Sequence, residues 1–200
     1  MAKTDPLTTE NKIKEAAHLV FLEKGFSAAT IRDVAKEAGT NVALVNYYFR
    51  SKKNLFNVVM LEKVQQIFGT LAPVLKDETT TLHQKIDGVV NCYIDFLTKN
   101  PDLPTFILNE VRKKNFEFVS TARIDKIIFQ SHFMQQLKEA SGDINPIHFL
   151  ISLLGMIIFP FVAKPIMLQT GLVNEKIFQK MMLERKVLIP AWVNTILKTN

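Results

Sequence analysis

Apolar residues recur every three to four positions along most of the chain, which predicts a protein built almost entirely of α-helices. The first such segment runs from Thr8 to Lys24 and ends at Gly25, a residue that commonly caps helices. Its apolar residues lie on one stripe and are Ile13, Ala16, Ala17, Val20 and Phe21. The pattern therefore predicts an amphipathic helix that buries one face.

Two short helices joined by a tight turn are predicted next. Thr30-Ile31-Arg32-Asp33 has the form of a capping box, in which the first and fourth residues bond each other's backbone. Gly39-Thr40-Asn41 reads as a turn whose Asn41 side chain can cap a helix over Val42 to Phe49. A longer helix followed by two short ones around a glycine turn indicates a helix-turn-helix unit. In such units the last helix enters the major groove of DNA.

The third predicted helix has two different faces. Helical spacing places Leu44, Val45, Tyr48 and Phe49 on one side, which is expected to pack, and Val42, Ala43, Asn46 and Tyr47 on the other. Tyrosine hydroxyls, a helix N-terminus and the Lys52 ammonium are all donors that suit DNA phosphates. The outward face is therefore expected to contact DNA.

The run TIRDVAKEAGTNVALVNYYFRSKKNLF, residues 30–56, resembles the DNA-binding signature of the TetR family of bacterial transcriptional regulators. The resemblance implies that six residues contact phosphates: Thr30, Thr40, Asn41, Tyr47, Tyr48 and Lys52. It implies that three residues face the bases: Val42, Ala43 and Asn46. The family commonly has a basic or polar residue where Val42 stands and a tyrosine where Asn46 stands, so the operator sequence does not follow from the motif.

The same resemblance implies an all-α fold with a helix-turn-helix domain over residues 1–53 and a helical ligand-binding and dimerisation domain over residues 54–200. The implied function is that of a homodimeric repressor. A small apolar or amphipathic ligand would release it from a palindromic operator in double-stranded DNA. The resemblance implies neither a cofactor nor an enzymatic activity. The sequence MAKTDPLTTENK lacks the features of a secretory signal, so a cytoplasmic location is expected.

The rest of the chain continues the helical pattern. A long helix is predicted from Ser51 to about Leu71, and another is predicted over Leu82 to Leu97. Further helices are predicted over Thr105 to Phe118 and over about 119–140. The long helix can connect a DNA-binding head to a body and act as a lever.

The segment from Ile147 to Ala163 carries no formally charged residue, and its 17 residues reach the lower limit for crossing a membrane. His148, Ser152 and Pro160 interrupt it. A helix that is apolar all round also arises when its own domain buries one side and a partner buries the other. We favour this second interpretation, so no membrane partner is expected.

Two residue sets are expected in the body. The predicted dimer interface combines the apolar segment with a last helix over about Asn174 to Lys198, and comprises Leu153, Ile157, Phe161, Ile177, Met181, Leu188 and Trp192. The predicted ligand pocket is apolar with a few polar tips, and comprises Tyr93, Phe96, Phe106, Asn109, Phe129, His132, Phe133 and Met156.

Composition and charge narrow the classes of protein only slightly. The net charge is +6, and residues 1–53 hold 9 Lys/Arg against 6 Asp/Glu, so the predicted head is basic. One cysteine, Cys92, excludes an intramolecular disulfide, and four scattered histidines match no metal-ligand spacing. Two alternatives to a regulator stay open: a membrane-associated helical adaptor, and a helical enzyme whose catalytic residues assemble from distant positions.

Overall fold

The computed structural model describes residues 6–112, 121 and 123–198, and these residues form helices without strands. The all-α prediction is therefore confirmed. The helices of the described residues are α1 Pro6–Ala28, α2 Ile31–Glu37, α3 Val42–Phe49, α4 Lys52–Lys76, α5 Leu82–Lys99, α6 Leu103–Arg112, α7 Ile124–Phe129, α8 His132–Ser141, α9 Ile147–Gln169 and α10 Glu175–Lys198.

The chain divides into two compact units, here called the head and the body. The head comprises Met1–Gln65 with Phe106–Ala122, and the body comprises Gln66–Thr105 with Arg123–Asn200. The predicted boundary after residue 53 is earlier than the one found, because the first half of α4 packs within the head. Five apolar residues there are buried: Leu55, Phe56, Val59, Met60 and Val64.

The head has a small aromatic core. The predicted stripe of α1 is buried, and the Phe21 ring meets the Phe56 ring of α4 edge-on at 5.2 Å between centroids. The ring of Phe106 joins this cluster at 5.9 Å from Phe56. Gly25 interrupts α1 with φ 72°, a left-handed conformation that favours glycine. The aromatic contacts thus hold α1 and α4 together beside the short helices.

Two helix predictions in the middle of the chain need correction. The helix expected over Thr105 to Phe118 begins at Leu103, and its part beyond Arg112 lies outside the described residues. The single helix expected over 119–140 is instead α7 and α8, while residues 119, 120 and 122 also lie outside the description. Ser131 separates the two helices, since its side chain caps α8 by accepting from Met134 N at 3.2 Å.

Hydrogen bonds fix the loop between α4 and α5 to α5 and α8 within the body. The fully buried Lys85 ammonium donates to the Thr80 carbonyl at 2.6 Å and to its hydroxyl at 2.8 Å. Gln136 of α8 donates to the same carbonyl at 3.0 Å, and a ring nitrogen of His132 lies 3.2 Å from Asp77 O. The buried lysine is thus hydrogen-bonded, as a buried charge requires, and α8 is fixed beside α4 and α5.

Three residues of the predicted dimer interface serve the body's own core. Leu153, Ile157 and Phe161 of α9 are at most 3% exposed within a single chain, so they cannot form a surface for a second copy. Their assignment to the interface is wrong. Ile177, Leu188 and Trp192 of the same prediction are 41–46% exposed, and Met181 is half-buried.

Both faces of α9 are apolar. Opposite its buried residues, Ile151, Phe159 and Ile166 are between 63% and 67% exposed. By length and composition α4 and α9 could each cross a membrane, although core helices of soluble proteins meet the same criteria. The exposed apolar residues of α9 therefore require a covering partner or environment.

Pro160 lies inside α9, where it has no N–H to donate to the Met156 carbonyl one turn earlier. Arg185 of α10 supplies the missing donor, since its Nη2 lies 2.7 Å from Met156 O. The same guanidinium lies over the Trp192 ring, 5.5 Å from its centroid. Burial lowers the pKa of Arg185. The arginine therefore compensates for the proline and joins the two last helices.

Arg185→Leu is expected to destabilise the protein by about 1–3 kcal/mol, because it leaves the partly buried Met156 carbonyl without a donor. In a Pro160→Ala background the restored backbone N–H can bond Met156 O, so the same change should cost less. Chemical denaturation of the four variants at one protein concentration gives the coupling. The lost contact with Trp192 is common to both backgrounds and cancels. Equal costs in the two backgrounds would contradict the compensation.

Candidate DNA-binding site

A reciprocal capping box begins α2. Thr30 Oγ1 accepts from Asp33 N at 3.1 Å, and the Asp33 carboxylate accepts from Thr30 N at 2.8 Å. Lys24 donates to the other carboxylate oxygen at 2.8 Å. The bond from Lys24, and then those from Thr30, lower the pKa of Asp33 to about 2. The acid at this position is thus ionised and paired, which leaves the start of α2 fixed.

The turn between α2 and α3 forms as its residues predict. Gly39 adopts φ +62°, and Thr40 N donates to Ala35 O at 2.9 Å. Asn41 caps α3 because its Oδ1 accepts from Leu44 N at 2.8 Å. The cap uses the amide oxygen of Asn41, so its NH₂ group is the part that can donate elsewhere.

The two faces of α3 are arranged as expected. Val45 and Phe49 are buried in the head, whereas Val42, Ala43, Asn46 and Tyr47 are exposed. Tyr47 is 78% exposed, and its ring meets that of the half-buried Tyr48 edge-on at 5.4 Å. The outward face is small at Ala43 and polar at Asn46, so it can approach base edges closely.

The structure gives Lys52 a role within the head. Its ammonium donates to Phe26 O at 2.9 Å, Ser27 O at 3.3 Å and Ala29 O at 2.9 Å, and lies 4.6 Å from the centroid of the Phe26 ring. These three carbonyls belong to the end of α1 and its connection to α2. An ammonium has three N–H donors, so a phosphate would have to displace one of these bonds. We call this arrangement the lysine clamp.

Thr30 resembles Lys52 in this respect. Its hydroxyl donates to Asp33 Oδ2 at 2.7 Å, so the hydroxyl proton is already used. The predicted phosphate contacts therefore divide into two groups. Tyr47, Tyr48, Thr40 and the Asn41 amide present donors beside the outward face of α3, while Thr30 and Lys52 hold the frame behind it.

The sequence reading missed Arg50, which follows α3 directly. Its backbone N donates to Asn46 O at 2.8 Å, and its φ of 61° is left-handed, which is uncommon outside glycine and asparagine. The side chain is exposed. An exposed guanidinium at the end of α3 is a further candidate for phosphate contact. The signal in the sequence was its position between the tyrosine-rich helix and Ser51, the cap of α4.

The predicted ligand pocket is only partly assembled. The body contains a partly open cavity of about 150 Å³ between α4, α5, α7, α8 and α9, and of the eight predicted residues Tyr93 and Phe133 line it. Phe106 and Asn109 lie in the head, and Phe129 is 55% exposed. His132 is engaged with Asp77, while Phe96 and Met156 pack against the body core.

The head has the architecture of a helix-turn-helix DNA-binding protein, joined to a helical body. The family model of bacterial regulatory proteins, tetR family, matches residues 13–59, which span α1 to the first half of α4. The matched residues contain every element described above for the outward face and its frame.

Known proteins share both the sequence and the fold. The chain is 26% identical over 96% of its length, and 96% of the relative's, to the probable HTH-type transcriptional regulator YttP of Bacillus subtilis. It is 26% identical to the HTH-type transcriptional repressor KstR2 of Mycolicibacterium smegmatis over 56% of this chain and 60% of that one. A TetR-like transcriptional regulator from Rhodococcus sp. RHA1 shares the fold with a TM-score of 0.66 and 14% identity, over 96% of this chain and 97% of that one. The chain belongs to the TetR family of DNA-binding transcriptional regulators.

Lys52→Met should lower the stability of the protein by about 1–2 kcal/mol, seen as a fall in Tm of about 2–8 °C, because it removes the lysine clamp. DNA affinity should fall together with stability. The control is Lys53→Met, which removes an equal charge from the neighbouring residue and leaves the clamp in place. The slope of log affinity against log salt should change no more in Lys52→Met than in this control. If Lys52 instead bound phosphate in each protomer of a dimer, the slope would shrink by about two with Tm unchanged.

Proposed function

We propose that this regulator is a cytoplasmic homodimeric repressor that binds a palindromic operator through α3 and is released by a small apolar or amphipathic ligand. The observation that supports DNA reading most strongly is the outward face of α3, which is exposed, polar and small at Ala43 beside a capped helix N-terminus. Repression is supported by a relative that is named a repressor.

We assign separate roles to the residues on this face. Val42, Ala43 and Asn46 face the bases, where Val42 can contact a thymine methyl and Asn46 can pair with adenine. Tyr47, Tyr48, Thr40, Asn41 and Arg50 contact phosphates on either side of the groove. Thr30 and Lys52 position these residues through the capping box and the lysine clamp.

A two-fold symmetric operator follows from dimerisation. Each protomer contributes one α3, so the two reading helices should meet half-sites about one DNA turn, or a multiple, apart. Selection of purified protein on random duplexes should recover such a palindrome, with a steep salt dependence of affinity. Recovery of no sequence by a folded dimer, with and without candidate ligands, would count against DNA reading by α3.

On the selected operator, Tyr47→Phe should weaken binding about tenfold or more for every sequence alike, because a hydrogen bond to a charged phosphate is lost. Ala43→Ser should instead change which base is preferred at one position of each half-site, by about 1–3 kcal/mol. Phe129→Tyr, at an exposed residue of the body outside the cavity, is the control and should leave DNA binding unchanged. An unaltered affinity of Tyr47→Phe in a titration would remove Tyr47 from the phosphate contacts.

Dimerisation is best supported by the exposed apolar residues of the last two helices. Each of these helices has large apolar side chains that are exposed. They are Ile151, Phe159 and Ile166 in α9, and Leu183 and Val187 in α10, which are 63% and 73% exposed. They are seven or eight residues apart in α9 and four residues apart in α10, which places those of each helix on a common face. Together with the exposed Ile177, Leu188 and Trp192, they offer an apolar surface that a second copy can cover as a four-helix bundle.

Phe159→Glu and Val187→Glu should each weaken the dimer more than tenfold, because a charge placed in an apolar interface is costly to bury. Each position is exposed in one chain, so the protomer should still fold. Leu19→Glu, at an exposed apolar residue of the head, is the control. Sedimentation at micromolar concentration measures the effect. A wild-type protein that stays in solution only with detergent would favour the membrane-associated adaptor instead.

The release mechanism that we propose operates through α4. Residues Phe68, Leu71 and Leu75 near its C-terminal end line the body cavity, and Lys52 at its N-terminal end forms the lysine clamp. A ligand that favours one position of α4 in the body would therefore also bias the position of α2 and α3. Coupling between such sites typically amounts to about 1–3 kcal/mol.

A further inference from the structure

The body cavity is lined by side chains of one chemical kind. Of the eleven residues that line it, ten have side chains of carbon and hydrogen only, contributed by every helix around the cavity. The exception is Tyr93, whose phenol carries one oxygen. None of the lining residues is charged, so a charged ligand group would enter the cavity without a counter-ion.

Three polar side chains of the body, those of His132, Lys85 and Gln136, make their hydrogen bonds away from the cavity lining. His132, which precedes the lining residue Phe133, interacts with Asp77 O, and Lys85 donates to Thr80. Gln136 also donates to Thr80 O, although its side-chain oxygen is buried without a hydrogen-bond partner among the described residues. Gln136 does not line the cavity. The described residues that line the cavity therefore include no cation to bind an anionic ligand.

The volume and the shape of the walls restrict the ligand further. A cavity of about 150 Å³ has room for a molecule the size of benzene. Three aromatic side chains line this one, Phe68, Tyr93 and Phe133, and they can contact an aromatic ring edge-on or offset. Burial raises the pKa of Tyr93, so its hydroxyl remains a neutral donor and acceptor.

We infer that the cavity binds an uncharged, single-ring aromatic molecule of about six to nine heavy atoms, carrying at most one neutral hydrogen-bonding group that meets Tyr93. The inference deepens the ligand release proposed above and rests on it for its regulatory consequence. It excludes carboxylates, organic ammonium ions and long-chain amphiphiles as ligands that enter the cavity entirely.

Four probes of similar size test the charge requirement: toluene, benzyl alcohol, benzoate and benzylammonium. Calorimetry and Tm shifts on the purified protein without DNA should show toluene and benzyl alcohol binding at least about tenfold more tightly than the two ions. Tyr93→Phe should lower the affinity for benzyl alcohol about two- to tenfold and leave that for toluene unchanged.

A filled cavity supplies the second test. Ile124 of α7 lines the cavity, and none of the residues of this short helix is fully buried, so Ile124→Trp can be accommodated and should abolish probe binding. The control is Phe129→Trp, which also introduces a tryptophan into α7 but at an exposed residue that does not line the cavity. This control should keep wild-type affinity, with circular dichroism confirming that both variants are folded.

The outcomes separate this inference from the proposed function. Failure of the folded wild-type protein to bind the neutral probes, equal or tighter binding of either ion, or unchanged binding by folded Ile124→Trp would each overturn it. Should Ile124→Trp not fold, the Tyr93→Phe comparison decides alone. If the neutral probes bind and Ile124→Trp blocks them, but operator affinity is unaffected, the ligand class stands and the proposed release fails.

Discussion

The position of α3, the helix proposed to contact DNA bases, depends on the hydrogen bonds that the Lys52 ammonium donates within the head. Lys52 donates to three carbonyls at the end of α1 and its connection to α2, which is where the chain turns at the left-handed Gly25. Backbone carbonyls exposed by such a turn need donors. A lysine at the start of α4 supplies them, so α1, α2 and α4 are fixed to one another, and α3 is held by its buried Val45 and Phe49.

The head thus separates residues that hold the frame from residues that face outward. The polar groups of the capping box, Thr30 and Asp33, and of the lysine clamp form hydrogen bonds within the head. The phenol of Tyr47 and the amide of Asn46 are left exposed on α3. This division matters for function because a donor already bonded within the protein gains little by exchanging that bond for one to DNA.

Sequence reading succeeded where a signal is local. The capping residues Thr30 and Asn41 act on backbone groups three positions away, and Gly39 is needed for a positive φ within the turn, so adjacent residues contain all the information. Helical spacing likewise predicted the two faces of α3. The clamp was not predictable in this way, because Lys52 and its acceptors are 23 to 26 residues apart and meet only in the folded head.

The errors in the body have the same physical origin. Periodicity shows that a residue is apolar but not which neighbour covers it, and α9 is apolar on both faces. Leu153 and Ile157 were therefore assigned to a second copy although their own chain buries them, while the exposed Ile151 and Phe159 were not considered. The pocket prediction was incomplete for the same reason: it named Tyr93, which lines the cavity, together with Phe106, which belongs to the head.

The size of the cavity is consistent with a regulatory use. An aromatic ring bound among the side chains that line it removes on the order of 100 Å² of apolar surface from water, which is worth about 2–3 kcal/mol. A ligand shifts an equilibrium only by the difference in its affinity for the two states. If the cavity closes or opens as α4 changes position, this difference reaches the typical coupling of about 1–3 kcal/mol. A small aromatic molecule without charge can therefore supply enough free energy for release, and a larger or charged ligand is not required by the energetics.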